Sequence, residues 1–167
     1  MKKGLFYYFK PDLIVDSLKD INVLDLINRG IKFIAVDLDN TLVPYLEEEI
    51  PKETYEWVEK VKSLGLEVYI FSNASLARVA KIGCMLGLSG KGKVFKPIIR
   101  NLRQELQKRG LTPTQGVLIG DQVFTDVLIG KIEGVFTILV KPSSRKDFLF
   151  TKINRFLEKL LRRYLHA

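Results

Sequence analysis

Residues 33–43, FIAVDLDNTLV, constrain this chain more than any other stretch. A run of apolar, β-favouring residues ends in two acids, Asp37 and Asp39, followed by Asn40, Thr41 and another apolar pair. Carboxylates at the end of a buried strand are costly unless a cation or hydrogen bonds compensate them. Their spacing suits a magnesium ion and a phosphate, because Mg2+ prefers hard oxygen ligands and is commonly held by one or two carboxylates plus phosphate. One acid can then attack phosphorus while its neighbour moves a proton.

Composition narrows the alternatives. The single histidine, His166, lies one residue from the end of the chain, which removes Ser-His-Asp triads, Cys-His pairs, HExxH zinc sites and haem ligation. Any chemistry must run on carboxylates, lysine, hydroxyls and a metal. Cys84 is the only cysteine, so no internal disulfide can form, and its apolar helical setting predicts a buried core thiol. With 167 residues, 47% apolar and 28% charged, the chain reads as one globular domain over 1–167. No apolar run reaches the roughly 20 residues of a membrane span. Lys2 and Lys3 precede a short apolar run that ends at Lys10-Pro11 without a cleavage site, so a cytoplasmic protein is expected.

Hydrophobic periodicity predicts a helix over 12–29, closed by Gly30, and a first strand over 31–36 aimed at the acids. Pro51 opens a second helix that carries Trp57, Val58, Val61 and Leu64 on one face and stops at Gly65. A strand over 66–71 leads into Ser72-Asn73, and Ser75 is placed to cap a helix to about Leu86. A glycine-rich connection precedes a short strand at Val94-Phe95, then Lys96-Pro97 and a helix to Arg109. Residues 116–120 form a buried strand ending at Asp121, a short helix follows, and 135–140 is the last strand. Strands alternating with helices predict an α/β fold of three layers, a central parallel sheet with helices on both faces. Ligands collect at the carboxyl ends of such strands, where Asp37, Ser72, Lys96 and Asp121 all fall.

Four ordered motifs, DLDNT at 37–41, SN at 72–73, KP at 96–97 and GDQVFTD at 120–126, resemble those of the haloacid dehalogenase (HAD) superfamily of Mg2+-dependent phosphotransferases. The resemblance implies a Rossmann-like catalytic core over 31–140, with 1–30 as an N-terminal helical extension and 145–167 as a C-terminal cationic amphipathic helix. It implies that Asp37 attacks phosphorus and that Asp37, the Asp39 backbone carbonyl and Asp121 hold Mg2+. The Asp39 side chain would be the general acid and base, Ser72 and Asn73 would bind phosphate, and Lys96 would neutralise its charge. Three positions carry ordinary structural alternatives, one of them Asn73, which either bonds to phosphate or the nucleophile loop or shapes a turn. Asp126 either caps its helix or orients the metal's surroundings or Lys96, and Thr41 is expected to brace the loop. Three other patterns fail on inspection. The acids from Asp37 to Glu48 match EF-hand positions but lack the required glycine, Gly87 to Lys93 lacks the Ser or Thr of a P-loop, and Asn73-Ala74-Ser75 is a sequon without a secretion signal.

Short connections over 42–71 and 74–95 leave no room for a large cap domain, so an open site suited to a bulky or surface-presented phosphate is expected. The formal charge of +8 is concentrated from Lys141 onward, where eight basic residues stand against Asp147 and Glu158. In that tail Leu149, Ile153, Phe156, Leu157 and Leu160 recur at helical spacing opposite the cations, a pattern suited to an anionic membrane or to packing on the domain. Motif details look most like the phosphatidylglycerophosphate phosphatase type of HAD subfamily IIIA, although that group usually has Gly-Asn-Arg where this chain has Gly130, Lys131 and Ile132. This resemblance implies a lipid-headgroup phosphate substrate, a peripheral position at the inner face of the membrane and no nucleic-acid partner. The alternatives are a phosphatase for a soluble nucleotide, sugar phosphate or phosphoprotein, and a non-enzymatic module on an inert fold.

Overall fold

A computed structural model describes residues 4–94 and 101–142. Its framework is a six-stranded, wholly parallel sheet: β1 (Leu13–Val15), β2 (Phe33–Val36), β3 (Glu67–Phe71), β4 (Ser89–Lys91), β5 (Gly116–Gly120) and β6 (Phe136–Val140). The strand order is β1-β6-β5-β2-β3-β4, which places β2 in the interior between β3 and β5. All four β2 residues are buried, as expected for a strand covered on both faces.

The two faces follow from strand alternation. Ile34 and Val36 pack with Val68, Ile70, Val117 and Ile119 beneath α1 (Val23–Asn28), α2 (Lys52–Ser63) and α3 (Leu76–Leu86). Phe33, Ala35, Tyr69, Phe71 and Leu118 face the other way, against Leu102 and Leu106 of α4 (Asn101–Lys108) and Ile129 of α5 (Leu128–Glu133). This is the three-layer α/β architecture anticipated from the alternating pattern. In α2 the buried stripe is Thr54, Trp57, Val58 and Val61, at the i, i+3, i+4, i+7 spacing of one helix face. Pro51 sits one position earlier than anticipated, as the cap whose carbonyl accepts from the Thr54 amide at 2.9 Å. The helix ends at Leu64, and Gly65 takes the left-handed conformation (φ 82°) that a glycine adopts without strain.

Three expectations need correction. Residues 12–29 are not one helix, and 1–30 is not a helical extension. Asn22 caps a helix of only six residues, and 13–15 is a strand on the edge of the sheet. The reason is tertiary. β6 presents an open edge, and the Asp12 carboxylate accepts from the Thr137 amide at 2.9 Å and its hydroxyl at 2.8 Å, pinning the start of β1 beside it. Lys131, 5% exposed, donates to the same carboxylate. Burial tends to raise the Asp12 pKa, but the hydrogen bonds from Lys131 and Thr137 outweigh it and hold the group below its ordinary value. Further back, Phe9 packs on Phe124 with ring centroids 5.4 Å apart, so the N-terminal segment is built onto the body of the fold.

Second, the short strand before Lys96 is Ser89–Lys91, within the glycine-rich connection; Val94 lies beyond it and Phe95 is outside the described residues. A Cβ on Gly90 would stand 2.7 Å from both Ile70 Cβ and Val79 Cγ1, so only glycine lets this strand lie between β3 and α3. Third, Cys84 is exposed, because the buried stripe of α3 is Val79, Ile82, Gly83 and Leu86 and leaves position 84 on the outer face. Among the described residues no helix is long and apolar enough to cross a membrane. The anticipated helix over 145–167 lies outside them.

Candidate active site

Three neighbouring strands end in the residues that the motifs single out. β5, β2 and β3 are adjacent, and the residues that follow them are Asp121, Asp37 and Ser72. The β2–β5 ladder continues one step past the strand, since the Asp37 amide donates to the Ile119 carbonyl at 2.8 Å. Asp37 is 6% exposed, Asp121 3% and Ser72 2%, so this edge of the sheet gathers polar groups in a nearly water-free setting. Ser72 is fixed through its backbone, donating to the Lys91 carbonyl at 3.1 Å, and its Oγ accepts from the Ala74 amide at 3.2 Å. Asn73 is exposed just beyond it.

The turn after Asp37 is held from below. Leu38, Leu42 and Val43 are fully buried, and the Leu42 and Val43 amides return to the Leu38 carbonyl at 2.9 and 3.1 Å. Asn40 adopts φ 62°, a left-handed conformation that asparagine tolerates better than most residues, and its side chain accepts from the Tyr45 amide at 3.3 Å. Thr54 reaches across from α2, donating its hydroxyl to the Leu42 carbonyl at 2.8 Å. Thr41 is buried, yet its hydroxyl has no hydrogen-bond partner among the described residues, so it does not brace the loop by that means.

Asp126 sits in a one-turn π-helix, Val123–Val127, immediately before α5. Its carboxylate accepts from the Gln122 amide at 3.1 Å while the Asp126 amide donates to the Gln122 carbonyl at 2.9 Å. This reciprocal pair closes the turn that carries Asp121. A Cβ on Gly120 would lie 2.2 Å from Asp126 Cγ and Oδ2, so the absent side chain at position 120 is what admits the carboxylate.

Asp37 and Asp121 supply hard carboxylate oxygens from the ends of adjacent strands, a donor set that fits Mg2+. No cluster of three or more His, Cys, Asp or Glu side chains able to hold a metal occurs among the described residues. The Asp39 side chain meets an arginine from α3. Its Oδ1 accepts from Arg78 Nε at 3.0 Å, and Arg78 Nη2 lies 2.8 Å from the same oxygen. Arg78 is the residue that motif reading missed. It belongs to the first turn of α3, where Ser75 Oγ accepts its amide at 3.2 Å, and nothing in helical periodicity distinguishes it from a surface arginine. Lys96 lies outside the described residues.

No protein-family model matches the chain. Among curated proteins it is 36% identical over 152 residues to "Probable phosphatase YqeG" of Bacillus subtilis, covering 91% of this chain and 88% of that protein. It is 29% identical to "Phosphatidylglycerophosphate phosphatase 1, chloroplastic/mitochondrial" of Arabidopsis thaliana, covering 89% of this chain but only 47% of that longer protein. Among solved structures, an uncharacterized protein from Listeria monocytogenes superposes with a TM-score of 0.59 at 19% identity, over 71% of this chain and 85% of the other. The cobalt-bound deoxy-D-mannose-octulosonate 8-phosphate phosphatase of Haemophilus influenzae superposes with a TM-score of 0.53 at 14% identity, over 67% and 69%. The structural likenesses establish the shared fold, and the identity to YqeG over nearly all of both chains establishes kinship: this chain belongs to the family of the probable phosphatase YqeG.

Proposed function

We propose that the chain hydrolyses phosphomonoesters through an aspartyl-phosphate on Asp37, and that its preferred substrate is the lipid phosphatidylglycerophosphate. The observation that carries the catalytic part is the convergence of Asp121, Asp37 and Ser72 at the ends of three adjacent parallel strands. Mg2+ held by Asp37, Asp121 and the Asp39 backbone carbonyl would supply Lewis-acid charge neutralisation between a carboxylate and a phosphate dianion. An Asp37 oxygen forms the new bond to phosphorus as the ester P–O bond breaks, and the Asp39 carboxyl gives its proton to the leaving alkoxide. Asp39, now a carboxylate, takes a proton from the water that attacks phosphorus. The bond to Asp37 breaks and inorganic phosphate leaves. Ser72, Asn73 and Lys96 bind the phosphoryl oxygens, and Asp126 holds the Asp121 turn.

The lipid assignment is supported by the Arabidopsis relative's name, by the short connection between β2 and α2, and by the basic, apolar-periodic sequence after Lys141. In this reading 1–167 is one domain that docks peripherally on the inner face of an anionic membrane through 145–167. The test is phosphate release from phosphatidylglycerophosphate in mixed micelles against a panel of sugar phosphates, nucleotides and a phosphopeptide. Micellar lipid should be the best substrate, EDTA should abolish turnover and Mg2+ should restore it. Asp37→Asn should lose all activity with unchanged folding. Preference for a soluble ester would overturn the lipid assignment, and an active Asp37→Asn would overturn the nucleophile.

A further inference from the structure

Asp37 and Asp121 directly follow β2 and β5, whereas Asp39 lies on the turn beyond, outside the strand. Its side chain meets Arg78. Two guanidinium nitrogens fall on Oδ1, at 3.0 and 2.8 Å, and Oδ2 carries no hydrogen bond or ion pair among the described residues. Both side chains are mostly shielded, with 16% and 20% exposure, so water competes weakly for the contact. The guanidinium brings one hydrogen-bonded nitrogen and a second charged nitrogen to the same oxygen, whereas a lysine would bring a single ammonium on a more flexible stem. Arg78 is itself anchored, because it occupies the first turn of a helix capped by Ser75, three residues after Ser72. One turn on, Lys81 holds Glu48 at 2.6 Å and depresses its pKa, with a smaller contribution from Arg78, so the loop after the nucleophile turn is tied to the same helix.

We propose that Arg78 is a positioning residue for Asp39: it clamps Oδ1 and leaves Oδ2 as the oxygen that exchanges protons with the leaving group and the attacking water. Proton transfer at Asp39 is thereby referred to the N-terminal turn of α3, whose cap Ser75 lies three residues beyond Ser72. The proposal rests on the acid–base role given to Asp39 above.

The test compares Arg78→Ala, Arg78→Gln and Arg78→Lys with the wild type in saturating Mg2+. Each is assayed on p-nitrophenyl phosphate, whose leaving group needs no proton, and on glycerol phosphate, whose alkoxide does. First-turnover ester cleavage is measured so that hydrolysis of the phospho-enzyme does not enter. The Ala and Gln variants should cleave the alkyl ester about 10- to 100-fold more slowly, with KM within about twofold, and the aryl ester nearly normally. Arg78→Lys should recover only part of the loss. Equal losses on both esters, a loss confined to KM, or full rescue by lysine would show that Arg78 serves phosphate or the fold and would overturn the proposal. Asp39→Asn run alongside separates the two ideas. If it loses alkyl cleavage while the Arg78 variants do not, the clamp alone falls; if it is fully active on both esters, the acid–base role falls with it.

Discussion

Replacing Asp12 by alanine should detach the first strand from the sheet, and the cost can be worked from the contacts. The carboxylate accepts from the Thr137 amide at 2.9 Å, the Thr137 hydroxyl at 2.8 Å and the Lys131 ammonium. Hydrogen bonds involving a charged group contribute about 1.5–3 kcal/mol each when sheltered. Asp12 is 31% exposed, however, so solvent screening brings the sum down to about 3 kcal/mol. Part of that loss is the penalty of leaving Lys131, 5% exposed, without its counter-ion. For a chain of this size 3 kcal/mol corresponds to a fall in Tm of about 6–12 °C. Because the native carboxyl titrates below its ordinary value of 3.8, its contribution is fully present above that pH and is lost as pH falls through the lower native value. Urea midpoints at pH 7 and pH 5 should therefore show the same gap between wild type and Asp12→Ala, and the gap should close below about pH 4. Removing the stranded cation with Lys131→Met should restore part of the loss. A wild-type midpoint for Asp12→Ala at pH 7, or a gap that stays constant to pH 3, would refute the reasoning.

Three further outcomes follow from single contacts. Gly120→Ala places a Cβ 2.2 Å from the Asp126 carboxylate and should cost about 2–3 kcal/mol in urea unfolding and reduce phosphatase turnover, since the same turn carries Asp121; a wild-type variant would mean that the turn repacks freely. Thr54→Val keeps the side-chain shape but leaves the buried Leu42 carbonyl unpaired, for a loss of about 1–2 kcal/mol and slower turnover, read by parallel melts and phosphate release. Glu105 is buried, which tends to raise its pKa, but hydrogen bonds from Lys108 at 2.9 Å and Arg109 at 3.0 Å prevail and lower it. Its contribution is thus present above its ordinary value of 4.5 and lost at lower pH. Glu105→Gln should lose about 1 kcal/mol at pH 7, a deficit that disappears near pH 3 in chemical denaturation.

The layered α/β architecture and the acids of the turn after β2 were legible because they follow from local rules. A strand buried on both faces must be apolar throughout, and an acid at its end breaks the run at a visible place, so Asp37, Ser72 and Asp121 announce themselves by position. The helix caps at Ser75 and Gly65 are likewise decisions made within a few residues. What only the tertiary structure decided involves partners distant in sequence. Residues 13–15 become a strand because β6, more than a hundred residues away, offers an unpaired edge and Thr137 receives Asp12. Gly90 makes an edge strand possible by what it lacks, in a space defined by Ile70 and Val79. Arg78 is joined to Asp39 by folding alone, since no spacing rule relates residues 39 positions apart. Sequence patterns record which groups an element must bury or expose, whereas pairing between elements depends on where each one's remaining hydrogen-bonding edge and charge come to rest.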